Sequence, residues 1–321
     1  MSKGTPIGRV DRLTITTIMD NYVDVFMPST EMTKRWGPPD MVPCKSASHG
    51  KPAPLWAEHG LSLLIEAEHE GLVHRILFDT GFTDDGVPHN LNRLGIDIKG
   101  IDFIVVSHGH PDHTAAIPGV LRSAGKKIPV ITHPDAFLKR YLVFPNGDRV
   151  LSNTFDETII TSSGGEAVLT SKDTELAPGV IATGEINMIN DFEQHFPLAY
   201  YEKEGELTKD LFHDEKSLVI HLKDAGIVVL SGCSHRGIIN TVNYAKKLTG
   251  IDEVYAVIGG FHLTGTTSME RVKRTVAEMK KIRPRFVIPT HCTGWRAINL
   301  FAEEMKDSFL LNAVGTKYFF E

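Results

Sequence analysis

The segment Ser107-His108-Gly109-His110-Pro111-Asp112-His113 packs three histidines and an aspartate into six residues, directly after the apolar run Phe103 to Val106. In an extended chain residues i and i+2 point the same way, so His108 and His110 can converge on one metal ion. Asp112 and His113 follow where Pro111 can open a helix, and they can face a second ion beside the first. Neutral imidazoles with a carboxylate suit zinc, and also iron or manganese. Gly109 is expected to let the backbone turn tightly between ligands. The three cysteines, Cys44, Cys233 and Cys292, are too few and too odd for a disulfide framework, which leaves them as free thiols or ligands. The sequence has no GxxxxGK[ST] loop, no GxGxxG after a strand and no Gly-x-Ser-x-Gly, so nucleotide-loop and serine-hydrolase chemistry have no support.

The elements that must hold these residues are legible as apolar, β-rich runs. The first series is Leu13 to Met19, Leu61 to Ala67, His74 to Asp79 and Asp102 to His108. A second series runs Gly179 to Ile186, Lys216 to Leu222, Gly226 to Gly232, Glu253 to Gly260 and Arg285 to Thr290. Helical patterns fall between strands at Pro111 to Ala124, Gly237 to Leu248 and Ser268 to Ile282. In the last, Val272, Val276, Met279 and Ile282 stack on one face, and Thr267 with Glu270 fits a capping box at its start. Two strand-rich halves with interspersed helices predict an α/β (α+β) architecture of two mixed sheets packed together with helices outside. No linker divides the chain, so residues 1–321 are expected to form one domain. The Pro-, Lys- and Ser-containing stretch from Pro28 to Pro54 is expected to be a long loop or lid.

Composition narrows the partners. Thirty-four Lys and Arg against forty Asp and Glu give a formal net charge of −6, which is unlike a surface built to neutralise the phosphates of a nucleic acid. A small, anionic substrate remains compatible with one locally cationic pocket. No apolar run is long enough to span a bilayer, and the first residues lack the apolar block of a signal peptide, so a cytoplasmic protein without a membrane partner is expected.

The HGHPDH segment resembles the His-x-His-x-Asp-His signature of the metallo-β-lactamase superfamily. Other motifs resemble that family in the expected order: Leu77-Phe78-Asp79-Thr80-Gly81 ahead of the signature, Leu230-Ser231-Gly232-Cys233 at the strand end that usually carries a bridging aspartate, and Val287-Ile288-Pro289-Thr290-His291. The resemblance spans about residue 12 to the C-terminus and implies an αββα sandwich with a metal site at one edge. Ala57 to Ser62, His133 to Phe137, Thr183 to Ile186, Gly232 to Gly237, Gly259 to Leu263 and His291 to Gly294 are similar to a narrower branch, the dihydropterin-ribofuranosylaminobenzene-phosphate synthase-like proteins.

Carried onto matching positions, the resemblance implies that His108 and His110 hold one metal and that Asp112, His113 and His291 hold the other. Asp79 would orient a ligand imidazole. Cys233 stands where the aspartate is usual, as a thiolate ligand or a buried core residue. The family's middle histidine from a His-x-x-Gly-type turn is missing, and His213, Asp214, Glu215 and His235 are the alternatives for completing the first site. His262, after Gly259-Gly260, is a candidate general acid beside Asp112 as the group that positions water. His59 and His133 are singled out by the branch resemblance alone, and Arg236 or Lys139 can neutralise a phosphate. The expected activity is a metal-dependent hydrolase or phosphoryl-transfer enzyme that uses a metal-bound hydroxide, from one or two zinc ions, on a phosphate-bearing or cyclic ester substrate. The alternatives are a di-iron redox protein and a metal-binding or sensing protein without turnover.

Overall fold

The computed structural model describes residues 7–41, 54–152, 155–193 and 196–321. Two large sheets face each other. The first has eight strands in the spatial order Thr33–Lys34, Lys317–Phe320, Arg12–Met19, Ser62–His69, Leu72–Phe78, Phe103–Val105, Pro129–Thr132 and Glu166–Leu169. The second has six, in the order Thr174–Ala177, Val180–Ala182, Ser217–Leu222, Gly226–Ser231, Val254–Gly260 and Phe286–Thr290. In both, the strands that lead into the histidine-bearing loops pair in parallel: Leu72–Phe78 with Phe103–Val105, and Gly226–Ser231 with Val254–Gly260 and Phe286–Thr290.

The period-two alternation of side chains explains the layering. Leu63, Ile65, Ile76, Phe78 and Val105 of the first sheet meet Leu218, Ile220, Leu230 and Ile258 of the second in one central core. Their neighbours Leu64, Leu77, Ile104 and Val130 point outward, under the helices Gly86–Arg93, Ile117–Ala124 and Glu157–Ser162. Val219, Val229, Val257 and Val287 do the same on the second sheet, against Ile238–Thr249, Met269–Ile282 and Trp295–Glu304. Strands covered on both faces must be apolar at every position, which is why they read as unbroken hydrophobic runs. The result is the expected αββα sandwich. Each fully buried Leu, Ile or Val contributes about 1.5–3 kcal/mol, so this framework can carry buried polar groups at its edge.

Several details depart from expectation. A third sheet, antiparallel throughout, is built from Glu206–Lys209, Ala199–Lys203, Arg140–Val143 and Arg149–Leu151. Its strands are short and half-exposed, so they lack the apolar runs that reveal the others. The expected helix Pro111 to Ala124 is two pieces, Pro111–Thr114 and Ile117–Ala124, because Pro118 cannot continue the first turn. The cap of Met269–Ile282 is Ser268, whose Oγ accepts the Arg271 N–H, and the expected Thr267–Glu270 box does not form. Of the expected loop at 28–54, residues 42–53, with Cys44, lie outside the described residues. The described part is pinned rather than lid-like: Thr33–Lys34 extends the first sheet, Arg35 donates to Thr316 and to the Leu311 carbonyl, and Trp36 packs on Leu55 and Val314.

Candidate metal centre

The donor residues lie just beyond strand ends, with Asp112 and His113 on a short helix and His291 opening a 3-10 turn. Leu72–Phe78 ends at Asp79, Phe103–Val105 leads to His108 and His110, Gly226–Ser231 to Cys233 and His235, Val254–Gly260 to His262, and Phe286–Thr290 to His291. Both sheets therefore present their carboxyl edges to one place, the edge where open α/β sheets bind ligands. Close packing of these loops sets two glycines. A Cβ at Gly109 would collide with the Ala136 carbonyl oxygen, and one at Gly232 with the Ser107 hydroxyl. Gly109 is thus required by the approach of another segment and not, as expected, by a turn.

Two groups of donor atoms converge. In the first, His108 Nε2 lies 3.0 Å from His110 Nδ1 and 3.2 Å from His235 Nε2. In the second, His113 Nε2 lies 3.1 Å from Cys233 Sγ and 3.6 Å from Asp112 Oδ2, while His291 Nε2 lies 3.2 Å from the same Asp112 oxygen. His235 is therefore what joins His108 and His110. His213 pairs with Glu185 at the surface, Asp214 receives the Gly109 N–H, and Glu215 receives the N–H groups of His235 and Arg236. None of these three enters either group.

The electrostatics of the two groups differ. Burial, reinforced by neighbouring histidines, drives His108 and His235 well below the ordinary histidine value, and burial takes His110 down to about 4. Burial alone would also lower His113, but Asp79 and Asp112 overcome it and hold that imidazole at about 9. Burial would raise Asp112, yet His113 and His291 hold it well below the usual carboxylate range. Burial pushes the Cys233 thiol up, and the adjoining Cys292 adds to it.

Anchors fix each ring. Asp79, itself at φ 61°, accepts from the Ser107 N–H at 2.7 Å and faces His113 Nδ1 at 2.6 Å. Ser107 Oγ contacts His108 Nδ1 at 2.9 Å, and Phe212 stacks on His235 with ring centroids 4.0 Å apart. Asp20 receives the His291 N–H and Asn21 contacts its Nδ1. Asp20 and Asn21 escaped sequence reasoning because they merely end an apolar strand, and only the fold brings them to residue 291.

These residues fit a bound cation. Three imidazoles, those of His108 and His235 buried and that of His110 half-buried, face one another through nitrogens that a single shared proton cannot satisfy, and the second group offers an anionic oxygen and a sulfur to the same small volume. His108, His110 and His235 would hold one ion; Asp112, His113, Cys233 and His291 would hold a second. His262 lies beside both, its ring 4.2 Å from that of His235, with Nδ1 buried and without a hydrogen bond. It also forms a donor group with Cys233 and His235. His59 is exposed, 3.6 Å from Asp112. His133 lies apart, facing Glu185, Lys139 is exposed and pairs with Glu202, and Arg236 donates to the Leu211 carbonyl.

A cavity of about 360 Å³ opens above the two groups. Its floor includes His110, Asp112, Cys233, His235 and His262, and its roof is Tyr141, Leu142, Leu151 and Tyr200 from the third sheet with Phe196.

An αββα sandwich with histidines, an aspartate and a thiol gathered at one strand edge defines a class of metal-site protein, and sequence comparison places the chain within it. Residues 57–291 match the metallo-beta-lactamase superfamily, to which the chain belongs. It is 36% identical over 310 residues, 94% of this chain and 95% of the other, to the 7,8-dihydropterin-6-methyl-4-(beta-D-ribofuranosyl)-aminobenzene-5'-phosphate synthase of Methanocaldococcus jannaschii. An uncharacterised protein of the same organism, MJ0448, is 32% identical over 81% of this chain and 93% of its own. Among solved structures, Tm1679, described as a metal-dependent hydrolase of the beta-lactamase superfamily, shares the fold with a TM-score of 0.72 at 24% identity, covering 95% of this chain and 98% of that one. Among the described residues no helix is long and apolar enough to cross a membrane.

Proposed function

We propose that this chain is a metal-dependent hydrolase or phosphoryl-transfer enzyme acting on a small, anionic, phosphate-bearing or cyclic ester substrate. The observation that carries the reading is the convergence of seven donor residues in two groups on the floor of a cavity large enough for a small molecule. A divalent ion held there, zinc in the first instance with iron or manganese as alternatives, supplies Lewis acidity and lowers the pKa of water at the site.

The chain's own groups divide the remaining work. Asp112, on the cavity floor within the second donor group, would orient an attacking water by accepting its hydrogen bond. His262 has a ring nitrogen without a partner beside the cavity and no resident carboxylate holding it, which suits proton donation to a leaving group. The aromatic and aliphatic roof excludes water and accommodates an apolar or flat portion of the substrate. The phosphate in the name of the methanogen relative supports a phosphate-bearing substrate for this chain as well.

The test is turnover of phosphodiesters, lactones and thioesters by metal-loaded protein. Asp112→Asn is expected to lose both metal and activity. His262→Ala is expected to keep its metal while slowing by roughly 10²-fold. Full activity in Asp112→Asn would remove the reading. Redox-active iron without turnover on any of these esters would favour the redox or sensing alternatives, to which the sulfur donor of Cys233 lends itself.

A further inference from the structure

The thiol of Cys292 enters neither donor group, yet it lies against Cys233, the sulfur of the second. Cys292 Sγ donates to the Cys233 carbonyl at 3.5 Å, and the two thiols are hydrogen-bonding neighbours. Both side chains are buried, and both line the cavity above the donor groups. We propose that Cys233 and Cys292 are a reversible redox modification site, whose disulfide takes the sulfur donor from the second group and releases its cation. The proposal uses the donor role given to Cys233 and is independent of the reaction proposed above.

The space at Gly260 is the first observation. A Cβ there would lie 2.5 Å from the Gly232 carbonyl oxygen, 2.6 Å from Cys292 Sγ and 3.3 Å from Cys233 Cα. Gly260 is not among the residues at positive φ, so its conformation does not call for glycine, whereas the close approach of both cysteines does. The second observation is how the three loops are joined. The Gly260 N–H donates to the Gly232 carbonyl at 3.0 Å and the Leu263 N–H to the Cys292 carbonyl at 3.2 Å. The Phe261 N–H donates to Thr293 Oγ1 at 3.0 Å, and Ser234 Oγ to the Gly260 carbonyl at 2.8 Å. The fold has therefore already closed the 59-residue separation that an unfolded chain would have to close before the two sulfurs could meet.

The third observation is the division between the two sulfurs. Cys233 Sγ lies 3.1 Å from His113 Nε2 within the second group, whereas Cys292 stands outside both groups and keeps its sulfur for other chemistry. Hydrogen peroxide is small enough to enter the cavity and meets the Cys292 thiol on its wall. The sulfur attacks the O–O bond, one oxygen stays as a sulfenic hydroxyl, and the other leaves as water with the thiol proton. Cys233 Sγ then attacks the oxidised sulfur: the S–S bond forms, the S–O bond breaks, and the hydroxyl leaves as a second water. Its proton comes from the Cys233 thiol or, where a cation held that sulfur, from solvent as the cation departs. The two thiols lose two electrons and one peroxide gains them. A disulfide has no thiolate to offer, so the second group is reduced to Asp112, His113 and His291. A thiol reductant restores the donor by exchange.

The site is tested on the full chain with hydrogen peroxide in two arms, zinc-loaded and metal-free, each followed by non-reducing peptide mapping by mass spectrometry. Wild type is expected to yield a peptide pair linked through Cys233 and Cys292, lighter than the reduced pair by two hydrogens. The loaded arm should lose about one equivalent of metal as the link forms, and regain it from added zinc after dithiothreitol. Cys292→Ser is expected to give no such link and to lose metal roughly tenfold more slowly under the same peroxide. Cys292→Ala replaces it should the serine variant fail to fold. Absence of the link in both arms overturns the proposal, as does a link that leaves metal content unchanged or equal metal loss in wild type and variant. A link in protein that never takes up zinc leaves a disulfide without a cation to release, and overturns the proposal together with the metal centre. If a reversible link releases metal while no ester is turned over, the modification site stands and the assigned reaction falls.

Discussion

Two segments of this chain carry chemistry-bearing side chains at similar density, Ser107 to His113 and Asp210 to Lys216, yet only the first adds donor atoms to the two groups on the cavity floor. In the second, Asp210 pairs with Arg140 and receives the Phe212 N–H. Asp214 pairs with Arg140 and receives the Gly109 N–H, Glu215 receives two N–H groups, and Lys216 Nζ donates to the Thr183 carbonyl. Every one is consumed by backbone or by a fixed counter-charge. In the first segment the converging nitrogens of His108, His110 and His113 find only other donor atoms. The difference teaches that a buried polar side chain with its partners already supplied is a brace, whereas one whose lone pairs face other lone pairs is built for something not yet bound. The braces also serve the site directly, since Asp214 holds the backbone between His108 and His110, and Glu215 holds that of His235.

The largest effect should come from the first segment. Replacing both His108 and His110 with alanine is expected to remove at least one equivalent of metal and to slow turnover on the order of 10³-fold or more, because several kcal/mol of transition-state charge stabilisation go with the ion. Elemental analysis that returns undiminished, stoichiometric metal would break the comparison at its first term. Asp214→Ala probes the second segment. It leaves Arg140 without one of its two carboxylates and the Gly109 N–H without an acceptor, so a loss of about 3–5 kcal/mol in urea unfolding is expected, with metal per folded molecule retained. Retained stability together with lost metal would make Asp214 a ligand after all. Asp79→Asn lies between the two, since Asp79 is a brace that touches His113, one of the candidate donors. It is expected to weaken metal affinity by roughly 10- to 100-fold, measured by competition with a chelator, and an unchanged affinity would reduce Asp79 to a turn residue.

This contrast also marks how far the sequence could be read. The sandwich was visible because strands such as Ser217–Leu222 and Val254–Gly260, covered on both faces, are apolar at nearly every position. The segment at 107–113 was visible because its donor side chains are neighbours in sequence. The partner of His108 and His110 was left open among His213, Asp214, Glu215 and His235, all similar in type, because the choice is made by which backbone each loop passes. The third sheet went unseen for a related reason. Arg140–Val143 and Ala199–Lys203 are 56 residues apart from Val143 to Ala199, and each is too short and too polar to announce a strand until the other lies beside it. Asp20 and Asn21 reach His291 only across the interface of the two large sheets.

The smallest expected effect sharpens the comparison at Lys216, a brace whose charge state is itself in play. Burial draws this ammonium down to about 8, against the opposing fields of Asp173, Asp214 and Glu185. In the unfolded chain the group returns to the ordinary lysine value of 10.5. Between those two values the unfolded chain binds more protons than the folded protein, so folding stability rises with pH through that window; below pH 8 both states are charged and the full penalty of the buried ammonium applies. Lys216→Met lacks the titrating group and should lack the slope. Wild type is therefore expected to gain about 1–2 kcal/mol relative to the variant as pH is raised from 8 to about 9.5, read from parallel urea denaturations at each pH. A difference that stays flat across the window would mean that Lys216 keeps its proton in the fold, held by Asp214 and its neighbours as one half of a permanent ion cluster. The second segment would then be braced by charge throughout, and Lys216 would lose its distinction from Arg140.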